Sequence, residues 1–176
     1  MFALCAASAC VAVLHSPASV AMRPESHGKP TALLFISHDC PICNAYSPEI
    51  GRLERRFGSK VKFVLVYCDL RLSPAEARSH AKEFSISNAE IRMDPQAKLS
   101  AECKATVTPQ AVVFDSAGVP VYSGRIDNRY LSLGQQRPTP TSHDLAKALE
   151  DVLAHKKPKP AAGPPVGCFI VFPNSK

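Results

Sequence analysis

Long hydrophobic runs are missing from this 176-residue sequence. The longest nearly apolar stretch, Phe2–Leu14 (FALCAASACVAVL), would rise about 20 Å as a helix, short of a hydrocarbon core of about 30 Å. That argues against an ordinary transmembrane helix. Charge of one sign is not concentrated either. Lysine and arginine outnumber aspartate and glutamate by 21 to 15, a net +6, and the one cluster is Lys156, Lys157 and Lys159. A scattered excess of this size serves solubility, and no nucleic-acid motif accompanies it, so no nucleic-acid partner is expected. A second CxxC pair is absent, whereas structural zinc usually takes four ligands from two such pairs. No segment repeats internally, which excludes a solenoid. With 45% apolar and 20% charged residues, the composition is that of one globular domain with a full core.

The apolar leader is followed by Ser19-Val20-Ala21, with small residues at the two positions a signal peptidase reads. Residues 1–21 are therefore predicted to be a secretory signal cut after Ala21, and the mature protein to be exported to a bacterial periplasm or cell envelope. Nothing charged precedes Arg23. The alternatives are a start further upstream, a lipoprotein site at Cys10, and an uncleaved leader, which would be the chain's only membrane contact. Cleavage removes Cys5 and Cys10 and leaves cysteines 40, 43, 68, 103 and 168. Five cannot all pair internally, and an unpaired thiol in an exported protein points to redox work.

Residues 22–30 (MRPESHGKP) read as a linker, residues 31–155 as one domain, and residues 156–176 as a proline-rich extended tail. Within the domain, Thr31–Ser37 (TALLFIS) and Val61–Tyr67 (VKFVLVY) are apolar runs typical of strands buried on both faces. Pro41–Phe57 has helical spacing, with a kink expected at Pro48. Ser73-Pro74-Ala75-Glu76 is a capping box opening a helix to about Phe84. A short strand at Ile91–Met93 and a helix over Pro95–Lys104 follow. Gln110–Asp115 and Val119–Arg125 form a hairpin, and Pro120 suits an edge strand. Residues 127–140 read as a loop. Thr141-Ser142-His143-Asp144 reads as a second capping box, starting a helix to about His155. The tail contains VGCFIVF, an apolar patch that should bury against something. The order β-α-β-α-β-α-β-β-α predicts an α/β fold, with a central mixed sheet and helices on both faces.

The chemistry centres on Cys40-Pro41-Ile42-Cys43, between the first strand and the first helix. Pro41 suits the first helical position, which places Cys40 near the N-cap. The helix N-terminus favours an anion, so Cys40 should be a thiolate with a pKa below the ordinary value of about 8.5. Cys43 lies one turn on, within disulfide reach. Cys40 can attack a disulfide, and Cys43 can then release the captured partner. A protonated His38 would favour the thiolate and Asp39 would oppose it. Structural zinc, Cu(I) held by Cys40, Cys43 and a histidine, and an inert disulfide are the alternatives to exchange. Strand–CxxC–helix in a βαβ pattern favours exchange, which needs neither cofactor nor metal.

DCPICNAYSPEI, followed by VTPQAVVFDSAGVPVYSGRID, resembles the thioredoxin-like superfamily over about residues 30–155. It is most similar to the exported branch containing TlpA-type thiol-disulfide oxidoreductases and AhpC/TSA-type redoxins. GRIDNRY, HDLAKALEDVL and VGCFI also resemble a subgroup of bacterial redoxin-domain proteins. The resemblance implies a thioredoxin-like fold, Cys40 as nucleophile and Cys43 as resolving thiol. It also implies a cis-proline at Pro109, with the Thr108 backbone pairing an extended substrate segment. Partners would be protein disulfides or dithiols, together with a separate redox partner. The sequence departs from the common pattern in three places. Asp39 replaces the usual tryptophan, Leu34 replaces a buried acid, and the proline is the first residue between the cysteines.

A thiol peroxidase is the runner-up. Ser37-His38-Asp39-Cys40 fits the Ser/Thr-x-x-Cys portion of the peroxiredoxin pattern, with Arg125 as the cation beside the thiolate, but Leu33 stands where that pattern has proline. A copper or thiol carrier without turnover is the binding-module alternative. Cys68 reads as a small core residue, and a Cys68–Cys103 bridge stays open. Cys168 is a candidate auxiliary thiol that could reach Cys40, Cys43 or a partner. His80 and His143 read as surface residues, and Asp127, Arg129 and Tyr130 as structural anchors of the long loop.

Overall fold

The computed structural model of the protein describes residues 28–86 and 88–173. The expected signal segment, its cleavage site, Cys5, Cys10 and most of the expected linker lie outside them. Among the described residues, no helix is long and apolar enough to cross a membrane.

Strand β1 (Thr31–Ile36) is buried at every position. It is the middle strand of a five-stranded sheet ordered β3-β2-β1-β5-β6, which explains its unbroken apolar run. Helix α1 (Pro41–Phe57) leads to β2 (Lys62–Tyr67), and α2 (Pro74–Glu83) leads to β3 (Glu90–Met93). β1, β2 and β3 are parallel. After α3 (Lys98–Glu102) and the two-residue β4 (Val107–Thr108), β5 (Gln110–Phe114) returns antiparallel beside β1 and hairpins to β6 (Pro120–Gly124). β6 is an edge, where Pro120 is tolerated.

Alternation along the central strand divides the core. Ala32, Leu34 and Ile36 face α1, α2 and helix α4 (Asp144–Leu153). Leu33 and Phe35 face Ala97, Leu99 and Ala105 around α3. Each fully buried leucine or phenylalanine contributes roughly 2–3 kcal/mol of apolar burial. α1 and α2 both pack against this Ala32–Leu34–Ile36 side, as two right-handed crossovers stepping the same way across the sheet require.

Several expectations are corrected. The helix expected over Pro95–Lys104 is confined to α3, because Pro95 and Gln96 form a turn and Ala97 is left-handed (φ 52°). The Ser73–Glu76 capping box forms, with Ser73 N–H donating to Glu76 Oε2 at 2.8 Å. The second box does not: α4 is capped at His143 with no side-chain bond. Thr141 and Ser142 instead donate their backbone N–H groups to Asn128 Oδ1, at 2.8 and 3.0 Å. The expected loop contains a small hairpin, β7 (Tyr130–Ser132) and β8 (Gln135–Gln136), turning at Gly134 (φ 80°). The tail is extended, and near its end β9 (Cys168–Phe169) pairs antiparallel with β4. Within VGCFIVF, Ile170 is buried in the α3-side core while Phe169 is 81% exposed.

Candidate active site

Strand register determines which loops meet. Ile36 pairs with Tyr67, so the segments after β1 and β2 leave the sheet side by side. Phe35 pairs with Gln110, which brings Thr108 and Pro109 to the same end. Ala111 pairs with Gly124, which adds residues 125–127. All these loops gather at the carboxyl end of the central strand, where α1 begins.

Cys40 is the N-cap of α1, with Pro41 in the first turn. Its side chain makes no capping bond, which leaves the sulfur available, although Cys40 is only 2% exposed. Cys40 Sγ lies 3.3 Å from the Thr108 carbonyl oxygen and 2.9 Å from Cys168 Sγ. The Thr108–Pro109 peptide is cis. The Cys40 pKa is lowered to about 4. The main cause is a hydrogen bond from the Cys43 thiol; burial opposes it, and a hydrogen bond from Cys168 assists. Cys43 is pushed well above the ordinary thiol value by burial, and then by the hydrogen bond and charge of Cys40. Cys168 is raised to about 11, first by burial and then by Cys40. The cluster therefore holds one thiolate and two proton-bearing thiols.

His38 does not address the sulfur. Its Nδ1 lies 3.0 Å from Asp69 Oδ1, and its Nε2 lies 3.0 Å from Asp39 Oδ1. Asp69 also accepts from Ser37 Oγ at 2.7 Å and from His38 N–H at 3.3 Å, pinning the turn that delivers Cys40. His38, Asp39 and Asp69 bring donor atoms within 4.8 Å of one another, but their mutual bonds account for the cluster, and the Asp39 side chain is 83% exposed. The copper reading wanted a histidine beside the two thiols; the ring of His38 is instead held between carboxylates. Arg125, the cation wanted by the peroxidase reading, is paired with Asp144 through Nε at 3.0 Å and Nη2 at 3.4 Å.

His80 is not the surface residue expected. It is half-buried between α1 and β2, with Nε2 at 3.0 Å from Asn44 Oδ1 and Nδ1 at 2.9 Å from Tyr67 Oη. Asn44 in turn donates through Nδ2 to the His38 carbonyl at 3.1 Å. This fixes the Asn44 oxygen toward His80, so His80 donates from Nε2, while the Tyr67 hydroxyl at its Nδ1 also donates to the Ala77 carbonyl at 3.1 Å. Helical periodicity alone could have suggested Asn44, which stands one turn after Cys40. Asp69 and His80 carry no local signal, because strand register and helix packing bring them to the site.

Asp127 is 2% exposed and accepts from Tyr46 Oη at 2.6 Å and from Arg129 N–H at 2.8 Å. Arg129 lies over the Tyr46 ring, 5.7 Å from its centroid, and Tyr130 packs on Tyr46 at 5.5 Å. The anchoring role expected of this segment is therefore directed at α1. Cys68 is 8% exposed and raised to about 12 by burial, as suits a core thiol. Cys103 packs beside the α3-side core.

Among curated proteins none matches this chain. Several solved structures share its fold. An uncharacterized conserved protein from Geobacillus kaustophilus superposes with a TM-score of 0.70 at 21% identity, covering 85% of this chain and 80% of that one. A hypothetical protein from Sinorhizobium meliloti 1021 gives 0.71 at 19% identity, covering 86% and 84%. A thioredoxin-like protein solved in its oxidized form gives 0.55 at 22% identity, covering 73% and 80%. Residues 28–119, just over half the chain, match a family model described as thioredoxin-like. A sheet that gathers the CPIC turn and a Thr-Pro loop at one end is thus what this family match would lead one to find, and the chain belongs to the thioredoxin-like family.

Proposed function

We propose that the protein is a thiol-disulfide oxidoreductase acting on protein partners, with Cys40 as nucleophile and Cys43 as resolving thiol. The observation that carries this reading is a sulfur at a helix N-cap with its pKa lowered to about 4, beside the backbone of Thr108. The Cys40 thiolate attacks a partner disulfide, one partner sulfur leaves as a thiolate, and a mixed disulfide forms. Cys43 then attacks Cys40 Sγ and the second partner sulfur leaves. Two electrons pass from the Cys40 thiolate and Cys43 thiol to the partner, whose two thiolates take up the proton released by Cys43 and one from solvent. The reverse sequence oxidises a partner dithiol.

Cys43 must lose its proton for the second step. Burial is the largest cause of its raised pKa, and the other two raising causes come from Cys40 as a hydrogen-bonded anion. Both vanish once Cys40 is in a neutral mixed disulfide, so the thiol becomes easier to deprotonate when it is needed. Thr108 and Pro109 would bind the partner's main chain, since proline at 109 offers no competing N–H. Export to a bacterial periplasm or envelope belongs to the same proposal, because disulfide exchange suits an oxidising compartment.

Insulin reduction driven by dithiothreitol tests the reading. Wild-type protein should catalyse it, Cys40→Ser should abolish it, and a Cys43→Ser, Cys168→Ser double variant, which leaves Cys40 without a neighbouring thiol, should accumulate a mixed disulfide on Cys40. Unchanged catalysis by Cys40→Ser would overturn the assignment. Thiol-dependent consumption of hydrogen peroxide without insulin reduction would favour the peroxidase reading.

A further inference from the structure

The edge at Thr108, assigned above to a partner's main chain, is occupied by the chain itself. Cys168 pairs with Thr108 and Phe169 with Val107, antiparallel. Ile170 N–H donates to the Thr106 carbonyl at 3.0 Å, and Thr108 Oγ1 donates to the Cys168 carbonyl at 3.5 Å. The residue opposite Thr108 is a cysteine, whose Sγ is 2.9 Å from Cys40 Sγ. A disulfide bond is about 2.05 Å long, so only about 0.9 Å of further approach separates the two sulfurs from bonding.

Both sides of Cys168 are held. A Cβ at Gly167 would overlap the Thr108 carbonyl, so glycine is what lets the strand seat. Ile170 is 6% exposed in the α3-side core. Upstream, Ala161 closes against Gly124 and Ala162 N–H reaches Asp144 Oδ1 at 3.4 Å. The outward Phe169 and Val171 contribute little to this seating, being 81% and 57% exposed.

We propose that Cys168 is a third redox-active cysteine carried on a strand that imitates a bound substrate: it forms a disulfide with Cys40 in competition with Cys43, and a protein partner reaches Cys40 only after displacing the strand. This rests on Cys40 being the nucleophile. In the oxidised protein, the Cys168 thiolate attacks Cys40 Sγ. The Cys40–Cys43 bond breaks, a Cys40–Cys168 bond forms, and Cys43 leaves as a thiolate that takes up the proton Cys168 gave to solvent. No electrons enter or leave the protein in this isomerisation. Burial of Cys43 favours its protonated state and so draws the step forward.

Peptide mapping after oxidation by glutathione disulfide, acid quenching and alkylation tests this. In Cys43→Ser, Cys40 attacks glutathione disulfide and one glutathione thiolate leaves. Cys168 then attacks Cys40 Sγ and releases the second. The expected product is a monomer with a Cys40–Cys168 bridge. Wild type should contain both Cys40–Cys43 and Cys40–Cys168 bridges. Cys168→Ser should contain only the first, and should reduce insulin with a kcat/KM raised severalfold. A glutathione adduct that persists on Cys40 in Cys43→Ser, with Cys168 alkylated and wild-type kcat/KM in Cys168→Ser, would overturn the proposal. So would a Cys40–Cys168 bridge found only between two copies. Failure of the underlying reading looks different: Cys168→Ser would then neither form Cys40–Cys43 nor reduce insulin.

Discussion

A thiol and a thiolate differ by one proton, and at Cys40 a neighbouring sulfur governs that proton. The helix terminus alone predicts a lowered pKa, but the largest contribution comes from the Cys43 thiol as a donor. Cys43→Ala removes that donor and should raise the Cys40 pKa, whereas Cys43→Ser keeps a hydroxyl donor and should raise it less. Thiolate absorbance, or the rate of iodoacetamide alkylation against pH, reads the difference. In wild type the Cys40 alkylation rate should stay flat from about pH 8 to about pH 6, where an ordinary thiol near 8.5 slows steeply. His80 titrates in the other sense. Burial, followed by the charge of His38, lowers its pKa from 6.5. The unfolded chain therefore binds more protons than the folded one just below that value. Stability from this group is complete above pH 6.5 and falls as pH drops toward the folded-state pKa, where the loss levels off. Urea unfolding at about pH 7.5 and about pH 5.5 should show a smaller loss for His80→Phe than for wild type.

At the scale of elements, much of the architecture was legible because local signals and tertiary demands agree. TALLFIS and VKFVLVY read as buried strands and are two of the three middle strands of the sheet. Ser73 and Glu76 read as a capping box and bond as one. Thr141–Asp144 carries a similar pattern and fails, because Asn128, thirteen residues upstream of Thr141, takes the two backbone N–H groups. No window along the chain contains that competition. The sulfur pair was legible because strand, cysteine, proline and helix are contiguous. The pairing of β9 with β4 was not, because a two-residue strand has no periodicity and its partner lies 60 residues away. The odd thiol count and the proline-rich arm pointed toward Cys168 but not toward β4. The seating of β9 gives a test at this scale. Gly167→Ala introduces a Cβ where the Thr108 carbonyl lies, so the strand should lift while the five-stranded sheet stays intact. Alkylation of Cys168 should accelerate strongly, with little change in the far-ultraviolet circular dichroism. Equal alkylation rates in the two proteins would mean that β9 does not depend on this close approach.

For the molecule as a whole, the site's three sulfurs share one electrostatic problem. Folding places a single negative charge in a buried cluster and surrounds it with two thiol donors, Cys43 and Cys168. Every contribution that stabilises the Cys40 thiolate stabilises the reduced protein, because the oxidised form has no thiolate to stabilise. A fold that holds Cys40 at about 4 should therefore be a strong electron acceptor. Its midpoint against glutathione at pH 7 is expected nearer to about −120 mV, the range of oxidases with thiols of similarly low pKa, than to thioredoxin's value of about −270 mV. Cys168→Ala removes one donor and so destabilises the thiolate. Its midpoint should move in the reducing direction, each tenfold change in the exchange equilibrium corresponding to about 30 mV. Mass-spectrometric quantification of the Cys40–Cys43 bridge across a series of glutathione buffers gives both values. A wild-type midpoint near −270 mV, unchanged in Cys168→Ala, would mean that the charge on Cys40 is not held by its neighbours.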